Sequence, residues 1–354
     1  MSINKKNNTI SLLRVIATFE IVLCHFLPNL LRGYNVPQFW ATYPGIFLGN
    51  GVILFFIISG FLYGAKEINN PFRWLFRQII KLSVPVLLLI LIESFRLLFV
   101  NGSVSINFLF VHIFNLTGLI NFNLFPFINN GYNEHLSHLW YLTAIIICYL
   151  LTPIFQRIAK KKQIVSIIVI VASLCLGIVS SLFISNQELP HYFMYITVYA
   201  LSYFYGRDIF DSFLRLNRVV LMVFVYVISI VAYYLSFKTI GDSLFQDSVV
   251  SQLFRTSTSF MIIAIVAFSC NKSDFCKRIQ NSSVVNILDS YSYYIYIFHT
   301  YIMFVVIGDL FGINICQWYL AFPLWIIIMA LVCFIDKFIS DKLIKAINAK
   351  IKIK

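Results

Sequence analysis

The chain of 354 residues is 60% hydrophobic and 17% aromatic, with only 12% charged residues and a formal net charge of +13. Soluble domains carry about 25% charged and about 45–50% apolar residues, so this composition excludes an ordinary soluble domain, whose core could not hide so much apolar surface. The basic residues lie between long apolar runs, which argues against nucleic-acid binding and turns the charge into a signal of membrane topology.

A transmembrane helix needs about 20 mainly apolar residues. The runs predict an all-α, polytopic membrane bundle of ten spans, at about 10–31, 46–65, 82–100, 138–156, 164–185, 192–206, 219–237, 253–270, 286–308 and 318–337. With the N-terminus in the cytoplasm, alternation places 23 of the 27 lysines and arginines on the inner side, and only Arg32, Arg96, Lys238 and Arg255 on the outer half. That bias follows the positive-inside rule and puts both termini in the cytoplasm. Lys5 and Lys6 precede the first run, but no small-x-small cleavage site follows, so the segment is expected to stay as a span. The seven cysteines are scattered without metal-ligand spacing, so no metal site is expected. No soluble domain, internal repeat or linker interrupts the pattern, and residues 1–354 read as one transmembrane domain.

In chain order, the first span contains SLLRVIATFEIVLCHF, an apolar helix carrying Arg14, Glu20 and His25. Each of these is costly in lipid unless it faces protein or water. Arg14 and His25 are 11 residues apart, about three turns and roughly 16 Å along one helix face, with Glu20 about a third of a turn away. A fixed cation suits a phosphate or a developing oxyanion, and an imidazole suits general-base removal of a hydroxyl proton near neutral pH. A snorkelling arginine and a histidine bonded to a neighbouring helix is the plainer alternative. Glu20 is expected to pair with a cation from another helix.

In the second span, NGVILFFIISGFLYG, Ser59 and Gly60 interrupt bulky residues and read as close helix packing, not as a serine nucleophile. The cytoplasmic stretch PFRWLFRQIIKLSVP repeats Arg73, Arg77 and Lys81 every fourth residue, a basic stripe suited to lipid headgroups or to the phosphates of a nucleotide-bearing donor. Glu93 and Arg96 in the third span are spaced to pair with each other. The long outer connection at about 101–137 is rich in Asn, Gly and Phe and lacks charge runs, which predicts packing over the outer face. In the ninth span His299 sits among Tyr293, Tyr294, Tyr296 and Tyr301, and either lines a polar path or makes an interhelical hydrogen bond. The tail KFISDKLIKAINAKIKIK is a basic amphipathic stretch expected to rest on anionic lipid.

Five motifs in this order resemble the acyltransferase-3 family of integral membrane acyltransferases. They are R-x-x-A…H with ten residues between the arginine and the histidine (Arg14, Ala17, His25), FFIISGFL (Phe55 to Leu62), a basic cluster leading into a proline-started span (Lys81, Pro85), HLWYL (His138 to Leu142) and SYYIYIFH (Ser292 to His299). The resemblance covers nearly the whole chain. It implies that Arg14 and His25 are signature catalytic residues, that cytoplasmic acyl-CoA, usually acetyl-CoA, is the co-substrate, and that the acceptor is a carbohydrate hydroxyl. No permanently bound cofactor is implied. The setting it implies is the plasma membrane of a bacterium, with membrane lipids as neighbours and a homo-oligomer compatible with the reading.

Two positions depart from the family pattern. The family's R-x-x-R, aligned on Pro85, falls on Gln78 and Lys81, one residue off Arg77. Ile145 stands where many members have a glutamate after Trp140. Some members carry a C-terminal hydrolase-like domain, and none is expected here. The expected assignments are therefore His25 and Arg14 as catalytic, Arg73, Arg77 and Lys81 as acyl-CoA-binding, and His299, Tyr296, Trp140 and His138 along the acceptor path. The rival is a transporter or flippase of a saccharide or acyl intermediate. It fits ten spans and buried charges, but the second half has no counterpart of the Arg14 and His25 pair except His299.

Overall fold

The computed structural model describes residues 8–34, 36, 45–122, 130–161, 163–183, 188–241, 243, 245–314 and 316–352. Lys5, Lys6, Lys162 and Lys354, and residues 123–129 of the long connection, lie outside them. Among the described residues every regular element is helical. The α-helices are α1 (Asn8–Gly33), α2 (Asn50–Gly64), α3 (Pro71–Asn101), α4 (Ile106–Ile113), α5 (Trp140–Ala159), α6 (Gln163–Phe183), α7 (Glu188–Ser212), α8 (Leu216–Ile240), α9 (Ser251–Lys272), α10 (Asp274–Gln280), α11 (Ser283–Tyr301) and α12 (Trp318–Lys352).

Among the described residues nine helices are long and apolar enough to cross a membrane, against ten runs expected from the sequence. The difference is α7, which has the length, at 25 residues, but carries five tyrosines along with His191, Arg207, Asp208 and Asp211. Those groups lower its hydropathy, yet its face is buried, with Tyr199 and Ala200 fully enclosed. Two further helices run past the apolar segments. α3 starts at Pro71, so the basic stripe forms its first three turns. α12 continues for 35 residues through the basic tail, roughly 52 Å of helix against a hydrocarbon core about 30 Å thick. The described part of the tail is thus continuous with α12.

The chain folds into two compact units, with boundaries inside α1, α5 and α11. The first comprises residues 1–24, 42–68 and 151–290. Its centre is the pair α2 and α7, flanked by α6 and α9, with α8 packed on α9. Glycine sets the approach of α2 and α7. A Cβ on Gly60 would stand 2.5 Å from the Tyr199 carbonyl oxygen, and one on Gly64 would overlap that of Tyr203. The backbones therefore touch where a side chain would hold them apart. Thr152 Oγ1 and the Tyr199 hydroxyl share a buried 2.8 Å hydrogen bond. α8 has only Val219 and Tyr233 buried, and most of its other apolar side chains are exposed, as a lipid-facing helix requires.

The second unit comprises residues 25–41, 69–150 and 291–354. Asn70 caps α3 by accepting a 2.9 Å hydrogen bond from the Arg73 N–H, Pro71 opens the helix, and Gly102 closes it in the left-handed conformation at φ 71°. The described part of the long connection is packed, as expected. It forms α4 and two short 3₁₀ turns, with Phe108, Val111, Ile120 and Leu136 buried. Asn115 turns the chain at φ 55° and donates to Ser83 Oγ at 2.7 Å, while Thr143 Oγ1 donates to its carbonyl at 2.6 Å.

Candidate functional site

In the first unit, Arg14 reaches Asp289 of α11 at 3.2 Å; the arginine is half-buried and the aspartate buried. The arginine expected to meet a ligand is thus held by a carboxylate, and its Nε has no hydrogen-bond partner among the described residues. Glu20 differs from expectation. Its Oε2 accepts a 2.9 Å hydrogen bond from the side-chain amide of Asn50, and no cation pairs with it among the described residues. Gly51 lets α1 and α2 close to this distance, because a Cβ there would overlap the Ala17 carbonyl oxygen. The neutral amide satisfies the glutamate without adding a second buried charge.

The second unit gathers three histidines that are far apart in sequence. The His25 ring lies 5.1 Å from the His299 ring, centroid to centroid, and the His138 ring lies 5.3 Å from that of His299. Their bonding partners fix their proton positions, since a carbonyl oxygen only accepts. His138 Nε2 lies 2.8 Å from the Ile297 carbonyl oxygen, so Nε2 carries the proton and Nδ1 accepts from the Thr300 hydroxyl at 2.8 Å. Both nitrogens of His138 are therefore occupied. His299 has the opposite tautomer. Its Nδ1–H donates to the Tyr296 carbonyl at 2.6 Å, leaving the Nε2 lone pair buried and without a partner among the described residues. His25 is partly exposed, and neither of its nitrogens has a partner among the described residues.

The surrounding aromatic residues hold these rings. The Tyr296 hydroxyl donates to the His138 carbonyl, Tyr296 packs edge-on against Tyr141 at 5.4 Å, and Trp325 Nε1 donates to the His299 carbonyl at 3.1 Å. The Tyr293 hydroxyl donates to the Leu82 carbonyl at 2.5 Å, tying α11 to α3. Trp140 is half-buried and stands edge-on to Tyr141. Among the described residues no group of His, Cys, Asp or Glu is placed to hold a metal ion. The arrangement instead offers proton transfer, with one imidazole locked, one with its lone pair oriented, and one uncommitted.

Two other features complete this unit. Glu93 is fully buried and pairs with Arg96 as the spacing predicts, through two hydrogen bonds of 2.6 and 2.7 Å. It also accepts from Asn133 at 2.6 Å and from the Tyr301 hydroxyl at 3.0 Å, so one carboxylate joins α3, the long connection and α11. Arg73 and Arg77 are half-buried and Lys81 exposed along the first turns of α3, with Gln78 buried beside them and Ile145 buried in α5.

Sequence reasoning named His138 and His299 without joining them to His25. What joins them is backbone hydrogen bonding at Tyr296 and Ile297, which leaves no mark on residue type. It did not single out Asn50 or Thr300, whose types are ordinary for membrane helices.

A family model described as an acyltransferase domain, the acyltransferase-3 family, matches residues 7–335, nearly the entire chain. No curated protein and no solved structure matches it.

Proposed function

The chain belongs to the acyltransferase-3 family, and on that premise we propose that it moves an acyl group, acetyl in the first instance, from cytoplasmic acyl-CoA to a hydroxyl of an extracytoplasmic or lipid-linked carbohydrate. That the chain is an integral membrane acyltransferase follows from the family match and the nine apolar helices. Donor, acceptor, residue roles and a bacterial plasma membrane belong to the proposal. Acyl-CoA is a co-substrate, and no resident cofactor is invoked.

In the proposed reaction His25 takes the proton of the acceptor hydroxyl. The oxygen attacks the thioester carbonyl, the new C–O bond forms, the C–S bond breaks, and the proton leaves on the CoA sulfur. His299, with its Nε2 lone pair oriented by the Tyr296 carbonyl, stands beside His25 as a second proton acceptor. The stripe of Arg73, Arg77 and Lys81 is proposed to hold the donor's phosphates, and Arg14 to meet the donor's negative charge once it exchanges Asp289 for it. His138, Tyr296 and Trp140 are assigned to the acceptor side.

The observation that carries this reading is the histidine cluster. An imidazole whose nitrogens have no partner among the described residues lies 5.1 Å from one whose acceptor lone pair is oriented. Such groups remove hydroxyl protons with gains of about 10²–10⁴-fold in rate.

The test uses the full chain in liposomes, with acetyl-CoA offered on one face and free saccharides on the other. Thioester loss that requires both, on opposite faces, supports the reading. Intact acetyl-CoA with every saccharide and acyl donor, together with saccharide flux across the bilayer, contradicts it.

A further inference from the structure

A cavity of about 460 Å³ opens in the second unit, lined among others by Asn29, Met303, Phe304, Asp309 and Asn314. That volume lies within the range of about 300–1,000 Å³ typical of small-molecule sites. We propose that it is the acceptor pocket and that it takes the ring of a sugar bearing no carboxylate. This inference rests on the acyltransferase reading and adds to it a place and a substrate class.

Position is the first argument. Asn29 follows His25 by four residues on α1, and Met303 follows His299 by four residues on the next helical segment, so each lies about one turn, roughly 6 Å, beyond a histidine of the pair. The lining therefore starts about one turn beyond each histidine along its helix. By the charge-derived topology, the segment after α11 faces the outer side, from which a carbohydrate would come.

The backbone is the second argument. Residues Ile302–Leu310 form a π-helix that starts three residues beyond His299 and supply Met303, Phe304, Ile307, Gly308 and Asp309 to the lining. π-Helical turns cost regular hydrogen bonding and are concentrated at functional sites. A Cβ on Gly308 would meet only the Met303 carbonyl oxygen, at 3.8 Å, so a larger side chain there has open space to fill.

Chemistry is the third. The floor is apolar, with Met303, Ile307 and Ala321 buried and Phe304 half-buried. The rim is polar and exposed, with Asp309, Gly312 and Asn314. Asn29 donates its amide N–H to the His25 carbonyl at 2.7 Å, which leaves Oδ1 as an acceptor. Asn314 Oδ1 accepts from the Cys316 N–H at 2.9 Å, which leaves its NH₂ group as a donor. The Asp309 carboxylate has no ion-pair or hydrogen-bond partner among the described residues; the Arg96 guanidinium, already paired with Glu93, is the cation within its electrostatic reach. A carboxylate, an amide acceptor and an amide donor over an apolar floor match the hydroxyl edge and the C–H face of a pyranose. The Asp309 charge repels an anionic sugar.

The pocket is tested by saturation-transfer NMR on the full chain in nanodiscs, with N-acetylglucosamine and glucuronic acid as probes. Wild type is expected to saturate the ring protons of N-acetylglucosamine at least fivefold more than those of glucuronic acid. Gly308→Trp should abolish the signal. Asp309→Lys, at an exposed position that tolerates it, should reverse the preference. An N-acetylglucosamine signal that is absent from wild type, or unchanged in both variants, overturns the proposal. A parallel acetyl-transfer assay separates the two readings. Transfer whose acceptor KM is unmoved in both variants overturns the pocket and leaves the acyltransferase intact. Probe binding that both variants alter as expected, with no transfer from any acyl-CoA, supports the pocket and overturns the proposed reaction.

Discussion

The imidazole rings of His25 and His299 face each other with centroids 5.1 Å apart and planes tilted by 51°. Only one of them is anchored, because the Tyr296 carbonyl holds Nδ1–H of His299 at 2.6 Å while His25 has no partner among the described residues. Removing the anchored ring should therefore act on the chemical step. His299→Gln is expected to lower kcat by about 10²-fold with little change in the KM for acyl-CoA. Steady-state kinetics in detergent check it, and an unchanged kcat would leave His299 a packing residue.

Glu93 carries a different prediction, about stability. It is fully buried and accepts hydrogen bonds from Arg96, Asn133 and Tyr301. Removing one partner of a buried ion pair costs about 3–5 kcal/mol, because the other charge is left unpaired. Glu93→Leu should accordingly lower the thermal midpoint in detergent by several degrees. The double variant Glu93→Leu, Arg96→Leu should recover much of the loss.

Glycine packing gives a contrast within the first unit. A Cβ on Gly60 would press on backbone at Tyr199, whereas one on Gly177 would meet the flexible end of Met194 at 3.2 Å. Backbone cannot yield as a methionine can. Gly60→Ala is expected to destabilise by about 1–3 kcal/mol, and Gly177→Ala by clearly less. Denaturation of the two variants side by side decides it.

The basic stripe predicts a split between the substrates. Charge-assisted hydrogen bonds contribute about 1.5–3 kcal/mol each, so Arg73→Ala with Arg77→Ala should raise the KM for acyl-CoA at least about tenfold. The acceptor KM should stay where it was. Because the proposed contacts are to phosphate, added salt should weaken donor binding to wild type more than to the double variant.

His112 lies in the connection between spans. Burial pushes its pKa below the ordinary histidine value, against the opposing pull of its bond to the Phe108 carbonyl. The folded state thus keeps it neutral where the unfolded chain takes up a proton. Its contribution to stability is full above the unfolded pKa of about 6.5 and is lost as the pH falls toward the lower folded value. His112→Gln should flatten the acid side of the stability profile, measured as thermal midpoint against pH.

The sequence carried the fold well, since apolar length and basic alternation are first-order consequences of a bilayer. Arg14 and His25 stood out because ionisable groups are rare in such helices. The partner of Glu20 was not legible. Asn50 is a neutral residue at a helix start, and only the close approach allowed by Gly51 brings it within 2.9 Å of the carboxylate. Nor was the histidine cluster, because the proton positions of His138 and His299 are set by backbone carbonyls. The pocket beyond them depends on a change of helical register at Ile302–Leu310, which periodicity read at 3.6 residues per turn does not register.

The central claim is that His25 is the proton acceptor of an acyl transfer. The most direct measurement follows radiolabel from acetyl-CoA to added carbohydrate by the full chain in liposomes, comparing wild type with His25→Ala of matched thermal midpoint. The account predicts label on the carbohydrate with wild type and a loss of about 10²–10⁴-fold in the variant. Label transferred equally by both would contradict it.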